Sequence, residues 1–435
     1  MSTSKTDASG EAPDDMGDPE TTGGFSKKHA LTFITITLFI DAAGFGVVIP
    51  VLPQLLMELS GEGLAAASKW SGWLIATYAA LQFLFAPILG NLSDRYGRRP
   101  LLLVSLFLYG INYLIAGLAT SLWVLFLGRA FTGIAGSTYS VASALIADVS
   151  PPEERAQNFG LIGMAFGMGF IFGPALGGLL GEWDIRAPFF AAAILAFCNT
   201  IYGFIVLKET LPLKNRRLFD IKRANPVGAL MHIRKYPMLF GLLIAIFLYN
   251  IGHHVYPSNW NFYTIEKFDW TPSDVGWSMM LVGVLMAFVQ GFLIRKVIPL
   301  LGAPRTALVG FVAAVVAYVG IATAPNSLAV YLWCVVSSLS GLVMPAVQSM
   351  MSNQVPQSEQ GELQGTIASM SSVGAIFGPI AMTQVFAYFT HSTGPIYFPG
   401  AAFLLAGMLS LFALSVFAAN IRRLLDLRPT AEPNV

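Results

Sequence analysis

Long apolar blocks separated by short polar stretches recur from about residue 30 to residue 420. Blocks of about 20 residues, without the two-residue alternation of strands, predict membrane-spanning helices and not a barrel. We place twelve: 30–57, 70–90, 100–118, 122–147, 157–181, 187–207, 238–264, 274–294, 305–323, 328–351, 362–389 and 396–420. Six precede a polar centre and six follow it. The predicted fold class is an all-α membrane protein, with 12 transmembrane helices in two six-helix pseudo-symmetric bundles. Its predicted units are a disordered tail over 1–26, a first bundle over 27–207, a linker over 208–237, a second bundle over 238–420 and a tail over 421–435. The first tail is rich in Ser, Thr, Gly, Asp, Glu and Pro and lacks the apolar core of a cleaved signal.

The halves align with each other at a fixed offset of 205. Gly136 matches Gly341, Pro151 matches Pro356, Glu154 matches Glu359, Gly160 matches Gly365, Gly169 matches Gly374, and Gly173-Pro174 matches Gly378-Pro379. Parallel repeats of this kind predict one cavity between the halves, alternately open to each side. Composition supports the membrane reading. The 435 residues are 55% hydrophobic and 11% charged, against about 25% charged in soluble domains. A mean hydropathy of +0.65 exceeds what one anchor could produce. A net charge of +1 offers no field for nucleic acid. Cys198 and Cys334 sit inside apolar runs, which predicts buried thiols and no disulfide framework.

The position of the charges fixes an expected orientation. Of the 25 Lys and Arg, 21 fall on one side of the predicted spans, three (Lys69, Arg186 and Lys267) on the other, and Arg129 within a span. Positive residues are retained in the cytoplasm, so both termini are expected there, in a bacterial inner membrane.

Five features carry candidate chemistry. Between helices 2 and 3, Gly90, Asp94, Arg95, Gly97, Arg98 and Arg99 fall within ten residues. Topology setting accounts for the arginines but not for the acid or the glycine spacing, so we expect a charge cluster that acts as a cytoplasmic gate. Helix 5 carries Gly169, Gly173, Pro174, Gly177 and Gly178 at helical spacing. Static close packing explains such a stripe, and a bending or sealing element explains it together with the proline. Asp41 lies mid-membrane in helix 1, where a carboxylate is costly and marks function. Arg129 of helix 4 lies at similar depth and is its expected partner. On helix 7, Tyr249, His253, Tyr256 and Trp260 share one face beside Asn250, His254 and Asn259, and Pro257 removes a backbone bond to His253. With Gln54, Gln82, Asn112, Gln290 and Gln348 they are expected to line a polar substrate cavity, although each alone can be interhelical glue. His253 and His254 are candidates for proton handling. Without nearby Cys or carboxylate they do not make a metal site. No nucleotide-binding GxxxxGK[ST] loop or catalytic triad occurs, so no enzyme activity and no cofactor are expected.

Several stretches together resemble the tetracycline/proton antiporter branch of the major facilitator superfamily, over nearly the whole chain. They are DAAGFGVVIPVLP in helix 1, GNLSDRYGRRP in the 2–3 loop, LGRAFTGIAG in helix 4, ADVSPPEERAQNFG in the 4–5 loop, GMGFIFGPALGGLLG in helix 5 and APFFAAA in helix 6. The resemblance implies that Asp94 and Arg98, with Asp148 and Arg155 of the 4–5 loop, form the gate. It assigns Arg129 to proton coupling and the FGPALGG stretch to an antiporter motif. Resistance antiporters of that family carry acids in helices 3 and 9 and a histidine in helix 8. The matching stretches here, LYGINYLIAG, GFVAAVVAY and VGVLMAFVQG, have none. The expected function is therefore a monomeric, proton-coupled antiporter that exports a small amphiphilic organic compound, with the proton gradient as its energy source. An uptake symporter or facilitator of the same fold and a non-transporting sensor are the alternatives.

Overall fold

The computed structural model describes residues 27–136, 138–151, 154–217, 237–356, 359–392, 394 and 396–426. The expected tail at 1–26, positions 218–236 of the linker and the last residues from 427 lie outside the described residues. Among those described, the chain is helical throughout. The first half comprises α1 (Lys27–Val48), α2 (Leu52–Ser60), α3 (Leu64–Tyr96), α4 (Arg98–Gly117), α5 (Leu122–Ala135), α6 (Thr138–Val149), α7 (Arg155–Trp183) and α8 (Ala187–Val206). The second comprises α9 (Pro237–His253), α10 (Val255–Phe268), α11 (Pro272–Phe288), α12 (Ile294–Thr323), α13 (Ser327–Ser338), α14 (Val343–Ser352), α15 (Gln360–Thr390) and α16 (Ala401–Asp426).

Joined across their breaks, these give 11 helices long and apolar enough to cross a membrane. The sequence predicts twelve, and the difference lies at Pro272–Thr323, a helical run of 52 residues that contains two predicted spans. Within it Gly302 alone leaves helical geometry, at φ 74° and ψ 159°. Gly97, between α3 and α4, has φ 107° and ψ 160°. These two left-handed glycines are 205 residues apart, the offset of the sequence repeat. Other interruptions obey the same offset. The 3-10 turn Ile49–Val51 matches the break at His254, and the break at Gly136 matches the 3-10 turn Leu339–Leu342. Pro257 explains the His254 break, because a proline cannot donate to the carbonyl four residues earlier.

Within each half, non-adjacent helices pack together: α1 on α7 and α8, α4 on α8, α9 on α15 and α16, and α12 on α16. The halves meet mainly through α3 against α15 and α7 against α11. These contacts concentrate at the end opposite the arginines. There Asn261 Nδ2 donates to the Ile49 carbonyl at 2.8 Å and Thr271 Oγ1 to Glu182 at 3.3 Å. A side chain at Gly178 would meet the Pro272 carbonyl oxygen at 2.5 Å. At the arginine-rich end of the same α7, the Cβ positions of Gly160, Gly163 and Gly167 meet nothing within 4 Å. The halves are thus closed at one end and parted at the other. Large apolar side chains such as Trp123, Phe204, Leu328 and Phe412 are exposed around the outside, as lipid contact requires.

Candidate functional site

The space between the parted halves is a cavity of about 830 Å³, walled by α7 on one side and by α9, α10 and α11 on the other. The bend at His254 turns the helix 7 aromatic face into it. His253, His254, Asn250, Tyr256 and Trp260 line the wall, with Gln290 and Arg295 nearer the mouth. Tyr249, His253, Tyr256 and Trp260 form a continuous ladder with ring centroids 5.6, 5.5 and 5.8 Å apart, as their spacing predicts. Each polar tip has a partner behind the wall. His253 Nδ1 lies 3.3 Å from the Tyr318 hydroxyl, the Tyr256 hydroxyl pairs with Ser337, and Trp260 Nε1 donates to Ser278 at 2.9 Å. Met164 and Met168 of α7 and Met279 and Met286 of α11 supply much of the remaining surface. The sequence reading missed these methionines, although both pairs have helical spacing and thioethers suit adaptable binding surfaces.

Six of the expected cavity residues lie elsewhere. Tyr249 is buried and donates to the Ser340 carbonyl at 3.1 Å in the break of helix 10. Asn259 is fully buried. Asn112 packs where a side chain at Gly128 would sit. Gln82 donates to the Tyr78 hydroxyl at 2.9 Å and to the Gly136 carbonyl at 3.2 Å. Gln54 and Gln348 do not line the cavity. Of these six, Tyr249 and Gln82 serve as hydrogen-bonding positions inside the first or second bundle, whereas both amide atoms of Asn259 are buried without a partner among the described residues.

The expected Asp41–Arg129 pair is not present: among the described residues no ion pair joins them. Asp41 lies beside Thr138, at the start of α6. Thr138 follows Arg129 by nine positions, on the far side of the break at Gly136. Three tyrosines lie near these charges. Tyr78, Tyr109 and Tyr113 are all within electrostatic reach of Asp41, and Tyr78 and Tyr113 also of Arg129. The Tyr78 and Tyr109 hydroxyls are 3.1 Å apart. This aromatic cluster escaped the sequence reading. Its trace is Tyr109, Asn112 and Tyr113 on one helix face and Tyr78 with Gln82 one turn apart on another.

At the arginine-rich end, the predicted charge cluster is assembled. Arg98 reaches Asp94 at 2.6 Å, Asp148 at 3.1 Å and Ser93 Oγ at 2.6 Å. A residue not predicted completes it. Glu209, the third residue after α8, accepts the backbone N–H groups of Arg98 at 2.9 Å and Arg99 at 3.3 Å, so it caps α4 from another element. A side chain at Gly97 would collide with the Glu209 carboxylate, which together with the positive φ reserves that position for glycine. Arg99 donates to the Phe204 carbonyl at 2.8 Å, while Arg95 is exposed and stacks over Tyr96. Gly90 and Asp94 face a smaller cavity of about 390 Å³ with Ser140 and Arg217. The side chain of Arg155 lies outside the described residues. All of these contacts lie within the first half and its following segment.

The glycine stripe of helix 5 serves two surfaces. Gly169, Gly173 and Gly177 lie directly on the backbone of α1, while Gly178 meets Pro272 and Ser273 of the other half. Pro174 packs against Gly46, and its carbonyl against Gly276. Close packing and sealing are thus properties of different faces.

A model of the Major Facilitator Superfamily matches residues 34–379 and again 266–433. The chain is 36% identical over 359 residues to the tetracycline resistance protein, class C, of Escherichia coli, covering 82% of this chain and 90% of that protein. It is 37% identical over 347 residues to the class G protein of Vibrio anguillarum, covering 80% and 88%. Multidrug resistance protein 2 of Bacillus subtilis is 27% identical over 359 residues, covering 81% and 88%. Among solved structures, an inward-facing, unoccupied bacterial homologue of the human lysosomal transporter Spinster superposes with a TM-score of 0.75 at 16% identity, over 93% of this chain and 99% of that one.

Proposed function

The chain belongs to the Major Facilitator Superfamily, a family of membrane transporters and not of enzymes, and on that footing we propose that it is a drug-efflux carrier that exports an amphiphilic organic compound in exchange for protons. The observation that carries this reading is the cavity of about 830 Å³, sealed at one end and open at the arginine-rich end. Its methionine and aromatic walls with a few polar groups suit a compound that is mostly apolar. The relatives named for tetracycline and multidrug resistance support the same class of cargo.

In this reading the chain is a multi-pass protein of the inner membrane. Gly302 separates an eighth from a ninth crossing as Gly97 separates the second from the third, which makes two bundles of six. The arginine-rich end faces the cytoplasm, so the open cavity is loading from inside. Alternating access then consists of parting the Gly178–Pro272 seal and closing the mouth. Asp41 carries the exchanged proton in its tyrosine cluster, apart from the cargo wall, and Arg129 opposes its charge from beyond Tyr78 and Tyr113. The proton gradient suffices as the source of energy, since one charge crossing 100 mV yields about 2.3 kcal/mol. No further cofactor enters the cycle.

Reconstituted protein with a trapped pH-sensitive dye and an imposed proton gradient tests the proposal. A panel of amphiphilic drugs including tetracycline should drive proton movement that Asp41→Asn abolishes while drug binding persists. Unimpaired uphill transport by that variant would remove Asp41 from the mechanism, and silence across the panel would overturn the drug-efflux reading.

A further inference from the structure

We propose that the cavity discriminates by charge, taking amphiphilic organic anions in preference to cations, with Arg295 meeting the anionic group. The inference rests on the cavity being the cargo site. Among the described residues that line it, Arg295 is the one formally charged side chain, and there is no Asp or Glu. The other polar groups are two imidazoles, the Asn250 and Gln290 amides, the Tyr256 hydroxyl and the Trp260 N–H; the last two are engaged by Ser337 and Ser278, and the imidazoles and amides can donate a hydrogen bond to an anion. A cation entering this space loses water and gains no carboxylate, which is costly in apolar surroundings. An anion loses water and gains a guanidinium, the group that best matches planar oxyanions.

The state of Arg295 supports this assignment. Arg98, Arg186 and Arg216 each hold a carboxylate, whereas Arg295 forms no ion pair among the described residues. Its direction follows from a local distortion. Gln290 and Arg295 are five residues apart, so on a regular helix of 3.6 residues per turn they would point about 140° apart. Between them lies a π-turn, Val289–Leu293, in which the Ile294 N–H returns to the Val289 carbonyl five residues back. One turn then absorbs the extra residue, and both side chains line the cavity. The π-turn thus brings the guanidinium onto the same wall as the Gln290 amide, with Tyr256 and Trp260 farther in to hold a flat ring system.

Two xanthene dyes of similar size and opposite charge, fluorescein and rhodamine 6G, test the inference. Their binding to the full chain in nanodiscs of zwitterionic lipid is read by fluorescence anisotropy against empty nanodiscs. Fluorescein should bind about tenfold more tightly, the lower end for a charge-assisted hydrogen bond because Arg295 sits at an open mouth. Arg295→Lys should keep most of that preference, and Arg295→Glu should reverse it. Equal or tighter binding of rhodamine 6G, loss of affinity for both dyes by one common factor in Arg295→Glu, or no binding of either dye would each overturn the inference. Fluorescein that binds with the expected preference but is not moved in proteoliposomes would instead count against the efflux reading and leave the charge preference standing.

Discussion

Helix 5 offers a test in which one substitution at two positions should have opposite consequences. At Gly178 an added Cβ would lie 2.5 Å from the Pro272 carbonyl oxygen and 2.9 Å from Ser273 Cα, both backbone atoms of the other half. At Gly167, eleven residues earlier on the same helix, it would meet nothing within 4 Å. Overpacking a close contact costs about 1–3 kcal/mol, and here the cost falls only on the conformation in which the halves are sealed. At about 1.4 kcal/mol per factor of ten, Gly178→Ala should shift the equilibrium roughly 5- to 140-fold toward the state open at that end. Gly167→Ala should leave the equilibrium in place and add up to about 1 kcal/mol of helix stability. Spin labels replacing Trp183 and Ile396, which are exposed at the sealed end on opposite halves, would report the two populations by their distance distribution. Cys198 and Cys334 are removed beforehand. An unchanged distribution in Gly178→Ala, or an equal shift in Gly167→Ala, would refute the assignment of Gly178 to the seal.

Three further perturbations follow from the remaining geometry. Arg98→Ala leaves Asp94, Asp148 and Ser93 without their shared donor and should lower stability by about 1–3 kcal/mol, read as the melting temperature in detergent; Arg98→Lys should recover only part, because one ammonium cannot span both acids. Glu209→Gln replaces one acceptor oxygen with a donor facing the Arg99 amide; the loss of about 0.5–1.5 kcal/mol should appear as faster proteolysis within residues 208–237, with a wild-type rate counting against the cap. Pro257→Ala restores the missing N–H opposite the His253 carbonyl and should straighten helix 7; melting temperature should rise while drug transport falls severalfold, and undiminished transport would show that the bend does not shape the cargo wall.

Much of the architecture was legible in the chain. The apolar blocks are long because a bilayer needs about 20 residues per crossing, and the repeat at an offset of 205 reappears in the backbone at Gly136 and Gly341, although the paired breaks at Gly97 and Gly302 and at Ile49 and His254 were not among the residues that matched. Within a single helix, periodicity also located chemistry well: the helix 7 aromatics form one ladder, and Pro257 produces its bend. Arg98 found Asp94 because the two lie one helical turn apart across a tight turn, whereas its second acid, Asp148, comes from 50 residues away. What failed were statements about distance between helices. Asp41 and Arg129 match in expected depth, yet depth along a helix says nothing of rotation or of which helix packs beside it, and Tyr78 of α3 and Tyr113 of α4 lie within electrostatic reach of both. Glu209 reaches the Arg98 amide across 111 residues, and no local pattern marks such a contact. The division of the glycine stripe between α1, the other half and open cavity depends likewise on packing. The sequence by itself determined which segments are long and apolar enough to cross a membrane, the bend at Pro257 and the aromatic face of helix 7, because hydrophobic length and backbone chemistry are local. Only the tertiary structure decided which faces meet, which end is sealed and which polar groups see the cavity, because those depend on side chains brought together from spans far apart in the chain.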